Sequence, residues 1–211
     1  MKEAVAKALL EIDAVGFSPQ NPIRFKSGIL SPVYVDNRRL PYYPEQWQVV
    51  IEGFQSKIRA GNINFDVIAG VAVGGVPHSS ALGFAMQKPS VFVRKEAKEH
   101  GKGQRIEGGD LEGKRVLLVE DLVTTGGSSL SGVEALREAG AIVDILLAIV
   151  SYGFQEARDN FESAAVNLQT ITDFTAILQI ALEMGVFGKE EHAIIDDWFK
   201  DPHGWASRHH K

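Results

Sequence analysis

The sequence predicts an α/β protein whose parallel sheet is flanked by helices, and three observations carry that prediction. Short apolar runs at DVIAGVA (66–72), SVFVRKE (90–96), RVLLVED (115–121) and IVDILLAIVSY (142–152) alternate with helical segments of ten or more residues. Several of these runs are apolar at successive positions, the pattern of strands covered on both faces. The 211 residues show no internal repeat and no linker, which is enough for one α/β domain and tight for two. Residues 1–211 are therefore read as a single domain.

The elements follow in order. Residues 2–15 mix charged and apolar residues as an amphipathic helix does. IRFKSGILSPVYVDNRRL (23–40) reads as a short hairpin, with turn signals at Ser27-Gly28 and Ser31-Pro32. Pro44 opens a helix in which Trp47, Val50, Ile51, Phe54 and Ile58 share one face. The strand at 66–72 turns through Gly74-Gly75-Val76-Pro77 into a helix that reaches Ala85. After the strand at 90–96, AKEHGKGQRIEGG (97–109) has four glycines and no periodicity, and reads as a mobile loop. The strand at 115–121 leads to a helix at 128–140, the strand at 142–152 to a helix at 155–164, and a last strand at 165–173 to helices at 175–184 and near 189–200. The N-terminal hairpin and the C-terminal helices stand outside the alternation. They are expected to form a small cap over one end of the sheet.

Composition removes several function classes. The chain is 45% hydrophobic and 23% charged, the balance of an ordinary globular protein. It has no cysteine, which excludes disulfides and thiolate metal sites, and its six histidines (His78, His100, His192, His203, His209, His210) show no zinc spacing. No apolar run approaches the ~20 residues that span a bilayer, and the N-terminus lacks the apolar core of a signal peptide. A cytoplasmic protein without membrane contact is expected. The net charge of −5 argues against a general nucleic-acid binder. There is no G-x-x-x-x-G-K-[ST] segment, and Gly101-Lys102-Gly103 is followed by Ile106 where a dinucleotide fingerprint needs its third glycine.

The chemistry is concentrated in RVLLVEDLVTTGGSS (115–129). In an open parallel sheet, ligands bind beyond the carboxyl ends of the strands. Glu120 and Asp121 stand at such an end, and Thr124, Thr125, Gly126, Gly127, Ser128 and Ser129 fill the turn into the next helix. Helix-start N–H groups attract anions, glycines admit a phosphate to the backbone, and hydroxyls add donors. The acidic pair is suited to accept hydrogen bonds from vicinal hydroxyls. Acids alone are often solvated, and Ser or Thr alone is often an N-cap. Together they describe a site for a ribose 5-phosphate unit.

VLLVEDLVTTGGSS resembles the phosphoribosyl-pyrophosphate (PRPP) motif of the type I phosphoribosyltransferases. FKSGILSPVYVDNR (25–38) and VRKEAKEHGKG (93–103) narrow the resemblance to the orotate phosphoribosyltransferase family. It runs from the first helix to about Tyr152, and the last sixty residues add little. The resemblance implies the type I phosphoribosyltransferase fold, with a hood contributed mainly by residues 1–43. It implies transfer of the 5-phosphoribosyl group from PRPP to N1 of orotate, giving orotidine 5'-monophosphate and pyrophosphate in de novo pyrimidine biosynthesis. It also implies a homodimer with shared active sites. The Mg²⁺ cofactor would be held mainly by PRPP and water, with no direct protein ligand.

Carried over residue by residue, Glu120, Asp121, Thr124, Thr125, Gly126, Gly127 and Ser128 would bind PRPP. Gly74 and Gly75 would hold its pyrophosphate through backbone N–H groups. Lys95 would serve its own site, and Arg94, Lys98 and His100 the neighbour's; Lys98, His100 and Asp121 are the expected catalytic residues. The segment 94–107 sets five cations (Arg94, Lys95, Lys98, Lys102, Arg105) against three acids (Glu96, Glu99, Glu107). Donors placed where a leaving group gathers charge are worth about 2.7–4 kcal/mol each, and closure of such a loop keeps water from a cation-like sugar. Lys26 would reach toward PRPP and the base, and Tyr34-Val35 would lie against the pyrimidine, with Thr124 and Phe154 also at the base. Arg38 suits a carboxylate held by two parallel hydrogen bonds.

Two positions depart from the family pattern. Many members carry lysine where Gly74 stands, and Asp-Arg where SYGF (151–154) places Phe154. The orotate carboxylate is then expected on Lys26, Arg38 or hairpin amides. A transferase for another base would share the PRPP motif and lack the 25–38 hairpin. A PRPP-sensing regulator would need a nucleic-acid-binding module, of which the sequence shows none.

Overall fold

The computed structural model describes residues 1–25, 28–96 and 105–209. The elements are α1 (Lys2–Glu11), β1 (Val15–Phe17), β2 (Ile23–Arg24), β3 (Leu30–Ser31), β4 (Val33–Val35), a 3-10 turn (Asn37–Tyr42), α2 (Pro44–Ala60), β5 (Val67–Val71), α3 (Gly75–Met86), β6 (Ser90–Val93) and β7 (Ile106–Glu107). They continue with β8 (Arg115–Val123), α4 (Gly127–Glu138), β9 (Ile142–Ser151), α5 (Gln155–Ser163), β10 (Asn167–Thr170), α6 (Phe174–Glu183), α7 (Lys189–Lys200) and α8 (Trp205–His209).

Six strands form the central sheet in the order β10-β9-β8-β5-β6-β7, all parallel except β7, which runs against β6 at the edge. Side chains along β5, β8 and β9 alternate between two cores, as a period of two requires. Ile68, Leu117, Val119, Leu147 and Ile149 face α1, α2 and α6. Val67, Ala69, Val71, Leu118, Leu146 and Ala148 face α4 and α5, where Val133, Leu136 and Phe161 close the layer. The α/β architecture with a parallel sheet is thus as the alternation predicts.

Beyond the sheet lies the cap. β1 pairs with β4 and β2 with β3, both antiparallel. The helices α7 and α8 lock onto this end through Trp198, whose Nε1 donates to the Leu30 carbonyl at 2.8 Å, and through Trp205, which bonds the Ile194 carbonyl at 3.1 Å. Phe25, Phe154 and Trp198 pack around Tyr152, with ring centroids 5.1–5.6 Å from it.

Local differences from the sequence reading have physical causes. The 23–40 segment is not one hairpin: β4 leaves β3 at Pro32 and pairs with β1 in the register Val15↔Val35. α3 begins at Gly75 and includes Pro77, whose missing N–H falls in the first turn, where it has no intrahelical partner anyway. Within the segment read as a loop over 97–109, Ile106–Glu107 form β7 against Phe92–Val93, and residues 97–104 lie outside the described residues. β8 continues past the acidic pair to Val123.

Candidate active site

The site is made by unequal neighbours of β8. Its ladder with β5 ends at Gly70↔Val119, whereas its ladder with β9 continues through Glu120↔Ala148 and Leu122↔Val150 to Val123↔Ser151. Glu120 and Asp121 are therefore held straight by one strand while the other side opens. Into that opening runs the Ala72–Gly75 segment, which contains a cis peptide between Ala72 and Val73. A Cβ on Gly74 would overlap the Asp121 carboxyl group. The residue that departs from the family pattern is thus the one that lets this carboxylate rest against the backbone.

Glu120 is buried. One of its oxygens accepts the Asp121 N–H at 3.1 Å and the other the Ser129 hydroxyl at 3.1 Å. Burial first, and then the adjacent Asp121 carboxylate, hold its carboxyl well above the usual range. Burial also raises Asp121, against the pull of its hydrogen bond to Glu120 and of the Arg38 charge. Both shifts oppose full ionisation of the two acids side by side.

The turn at 124–129 is built by packing as well as by local chemistry. Gly126 has φ +87°, and a Cβ there would stand 2.6 Å from the Phe161 ring. Only glycine fits both the angle and the space. The Thr125 carbonyl accepts the Asn160 side-chain amide at 3.0 Å, which ties the turn to α5. Gly127 has nothing within 4 Å of its missing Cβ, and the start of α4 lines the open cavity, where its first N–H groups have no intrahelical partner.

These parts surround a cavity of about 450 Å³ lined by Val35, Asp36, Arg38, the segment 71–74 and the segment 120–129. Arg38 Nε bonds Asp36 Oδ1 at 2.6 Å, which holds the Asp36 carboxyl below its usual range. A second cavity of about 270 Å³ lies beside it, lined in part by Arg94, Lys95, Arg105, Gly127 and Ser128. Arg105 braces this wall by donating to the Arg94 carbonyl and to Ser131.

The residues expected at the site are distributed as follows. Glu120, Asp121, Thr124, Thr125, Gly126, Gly127, Ser128, Gly74, Val35 and Arg38 line the first cavity. Arg94 and Lys95 line the second. Gly75 starts α3 with its Cα close to Val119. Tyr34 is partly exposed on the cap, its register partner being Gly16. Phe154 is stacked on Tyr152 and edge-on to Trp198, in the aromatic cluster under the cap. Lys26, Lys98 and His100 lie outside the described residues. Sequence reasoning passed over Asp36, Asn37, Phe161 and Asn160. The only signal for Asn37 was its place in Asp-Asn-Arg, and nothing local marks an asparagine as buried.

Comparison with known proteins agrees with this geometry. Residues 43–180 match the model of the phosphoribosyl transferase domain. Orotate phosphoribosyltransferase of Coxiella burnetii is 40% identical over 201 residues, which is 95% of this chain and 96% of that one. The enzyme of Listeria innocua is 40% identical over 206 residues, covering 98% and 99%. Among solved structures, orotate phosphoribosyltransferase from Aeropyrum pernix superposes with a TM-score of 0.74 at 30% identity, covering 87% of this chain and 99% of that one. UMP synthase of Leishmania donovani gives 0.82 at 26% identity; this chain covers 42% of that protein's length and is itself covered to 94%. Fold and site together define a phosphoribosyltransferase, an enzyme of the pentosyltransferase class. Within that class the chain belongs to the orotate phosphoribosyltransferase family.

Proposed function

We propose that the chain transfers the phosphoribosyl group of PRPP to N1 of orotate, with the phosphoribosyl group and the base in the first cavity and the pyrophosphate reaching toward Lys95 of the second. The observation that carries this reading is the single cavity wall on which a buried acid pair, a glycine-rich helix start and Arg38 meet. The 124–129 turn takes the 5-phosphate, and Glu120 and Asp121 take the ribose hydroxyls. The pyrophosphate lies toward Gly74, Gly75 and Lys95, and Arg38 receives the orotate carboxylate near Val35. Catalysis is mostly departure of pyrophosphate from the anomeric carbon, with cations placed where charge appears. The base is already an anion, so no general base is required.

The donor set suits Mg²⁺ held through ligand oxygens. Glu120 and Asp121 are oxygen donors, Asp36 is engaged by Arg38, and no group of three His, Asp or Glu among the described residues forms an all-protein cage. When bound, the ion would supply positive charge to the pyrophosphate. No helix among the described residues is long and apolar enough to cross a membrane, and a cytoplasmic location is part of the reading.

A homodimer with shared sites completes it. Val73 just before α3 is 79% exposed and Phe84 on it is 90% exposed, two large apolar side chains that a partner would cover. Arg94, Lys98 and His100 would then act in the neighbour's site. The test begins with pyrophosphate release from PRPP across a panel of bases, where orotate should be preferred. It continues by mixing Lys98→Ala with Asp121→Asn, each strongly lowered in turnover on its own. Under random exchange in a two-fold dimer, activity should recover to about a quarter of wild type. No recovery with exchange confirmed would mean that the loop serves its own chain.

A further inference from the structure

Asn37 is fully buried, and its Nδ2 donates to the main-chain carbonyl of Asp121 at 2.7 Å, across 84 residues of sequence. It does so just where β8 has lost its partner: pairing with β5 ends at Val119, and the Asn37 amide engages the chain two residues later. The residues on either side of it, Asp36 and Arg38, both line the cavity. At the far end of the same segment, the Asn160 amide holds the Thr125 carbonyl at 3.0 Å. The backbone from Asp121 to Thr125 is therefore pinned at both ends by asparagine side chains.

Packing alone does not account for Asn37. Its Oδ1 is buried with no hydrogen-bond partner among the described residues. A buried acceptor left unpaired costs stability, and an apolar residue of similar volume would avoid that cost. What the amide adds is a directed bond to one carbonyl, the carbonyl of the acid that faces Gly74. The bond also links the base side of the cavity, where Arg38 stands, to the ribose side.

We propose that Asn37 is a positioning residue: it fixes the main chain of Asp121 so that the carboxylate meets the ribose hydroxyls in the geometry of the transition state. The proposal rests on the reading that Asp121 holds the ribose. It predicts a loss in turnover rather than in ground-state binding, because alignment matters most when the sugar flattens.

The test is a double-mutant cycle. Asn37→Leu keeps the volume and removes the donor, and Asn37→Ser is a milder variant in case the first does not fold. Each is made alone and combined with Asp121→Asn, and turnover is measured together with PRPP and orotate affinities by calorimetry. In the wild-type background, loss of the donor should lower kcat at least about tenfold while both affinities move less than about threefold; in the Asp121→Asn background, kcat should fall by less than about twofold, since residues acting as a unit are not additive. Equal losses in both backgrounds would overturn the proposal, as would unchanged kcat in a folded single variant. So would failure of both variants to fold, which would make Asn37 a core residue only. If Asp121→Asn alone is fully active, it is the reading of Asp121 that fails, and that result is distinct from the others.

Discussion

The exit of β8 and the β2–β3 hairpin of the cap are held by different means. Around β8 the chain is positioned by a strand ladder, by helix α4 following at once, and by Gly126, whose positive φ and close approach to Phe161 only glycine allows. The cap strands β2 and β3 have two residues each, too few to stand alone in water. They are held from the far end of the sequence, by Trp198 on the Leu30 carbonyl and by Phe25 against Tyr152 and Trp198. The 124–129 turn is therefore contiguous in sequence, whereas the β2–β3 part of the cap depends on the C-terminal helices.

The largest expected effect breaks the cap while sparing the cradle. Trp198 is fully buried, and Trp198→Ala should cost about 3–5 kcal/mol in denaturant unfolding. The Michaelis constant for orotate should rise more than that for PRPP. Equal rises would mean that the cap does not shape the base site separately.

Arg38→Ala probes the base side at one residue. Its side chain is 66% exposed without substrate, so the low end of the range for a charge-assisted pair applies, about 2 kcal/mol or thirtyfold in the orotate constant. PRPP should be little affected. If the orotate constant does not move, the carboxylate is held elsewhere, with Lys26 the next candidate.

On the cradle side, adjacent glycines should separate. Gly126→Ala forces a Cβ into Phe161 at positive φ, a loss on the order of 1–3 kcal/mol in stability. Gly127→Val points into open space and should leave stability within about 0.5 kcal/mol. Its effect should appear in PRPP affinity, about tenfold or more, with binding of the free base less changed. A folded Gly127→Val protein that binds PRPP normally would remove the phosphate from this turn.

The smallest effect is a proton. Because the Glu120 carboxyl is raised in the empty site, its protonated form favours the fold, and that contribution fades as pH rises through its folded pKa. Hydroxyl donors favour the ionised pair, so PRPP binding at pH values around and below that folded pKa should release up to about one proton. Calorimetry in buffers of different ionisation enthalpy measures this, and Glu120→Gln should reduce it. Release that is unchanged in that variant would place the proton on another group.

The stretch from Arg115 to Ser129 was legible because each part of it is local: a buried strand, two acids, hydroxyls and glycines before a helix. The cap was legible only as something outside the alternation, and its internal pairing was not, because β4 finds β1 rather than β3. The assistance of Asn37, Asn160 and Phe161 was invisible, since each acts on a carbonyl or glycine far along the chain. Their residue types are common on surfaces and in cores alike.

By itself, then, the sequence determined the alternating α/β pattern, the acid pair, the phosphate turn and the family to which they belong. Those properties depend on periodicity, on φ-permissive glycines and on residues adjacent in the chain. Only the tertiary structure decided that Gly74 leaves room for the Asp121 carboxylate, that Phe154 joins an aromatic cluster under the cap, and that Trp198 ties α7 to Leu30 of the cap. These are matters of which distant surfaces exclude water together, and a one-dimensional pattern does not specify the partner.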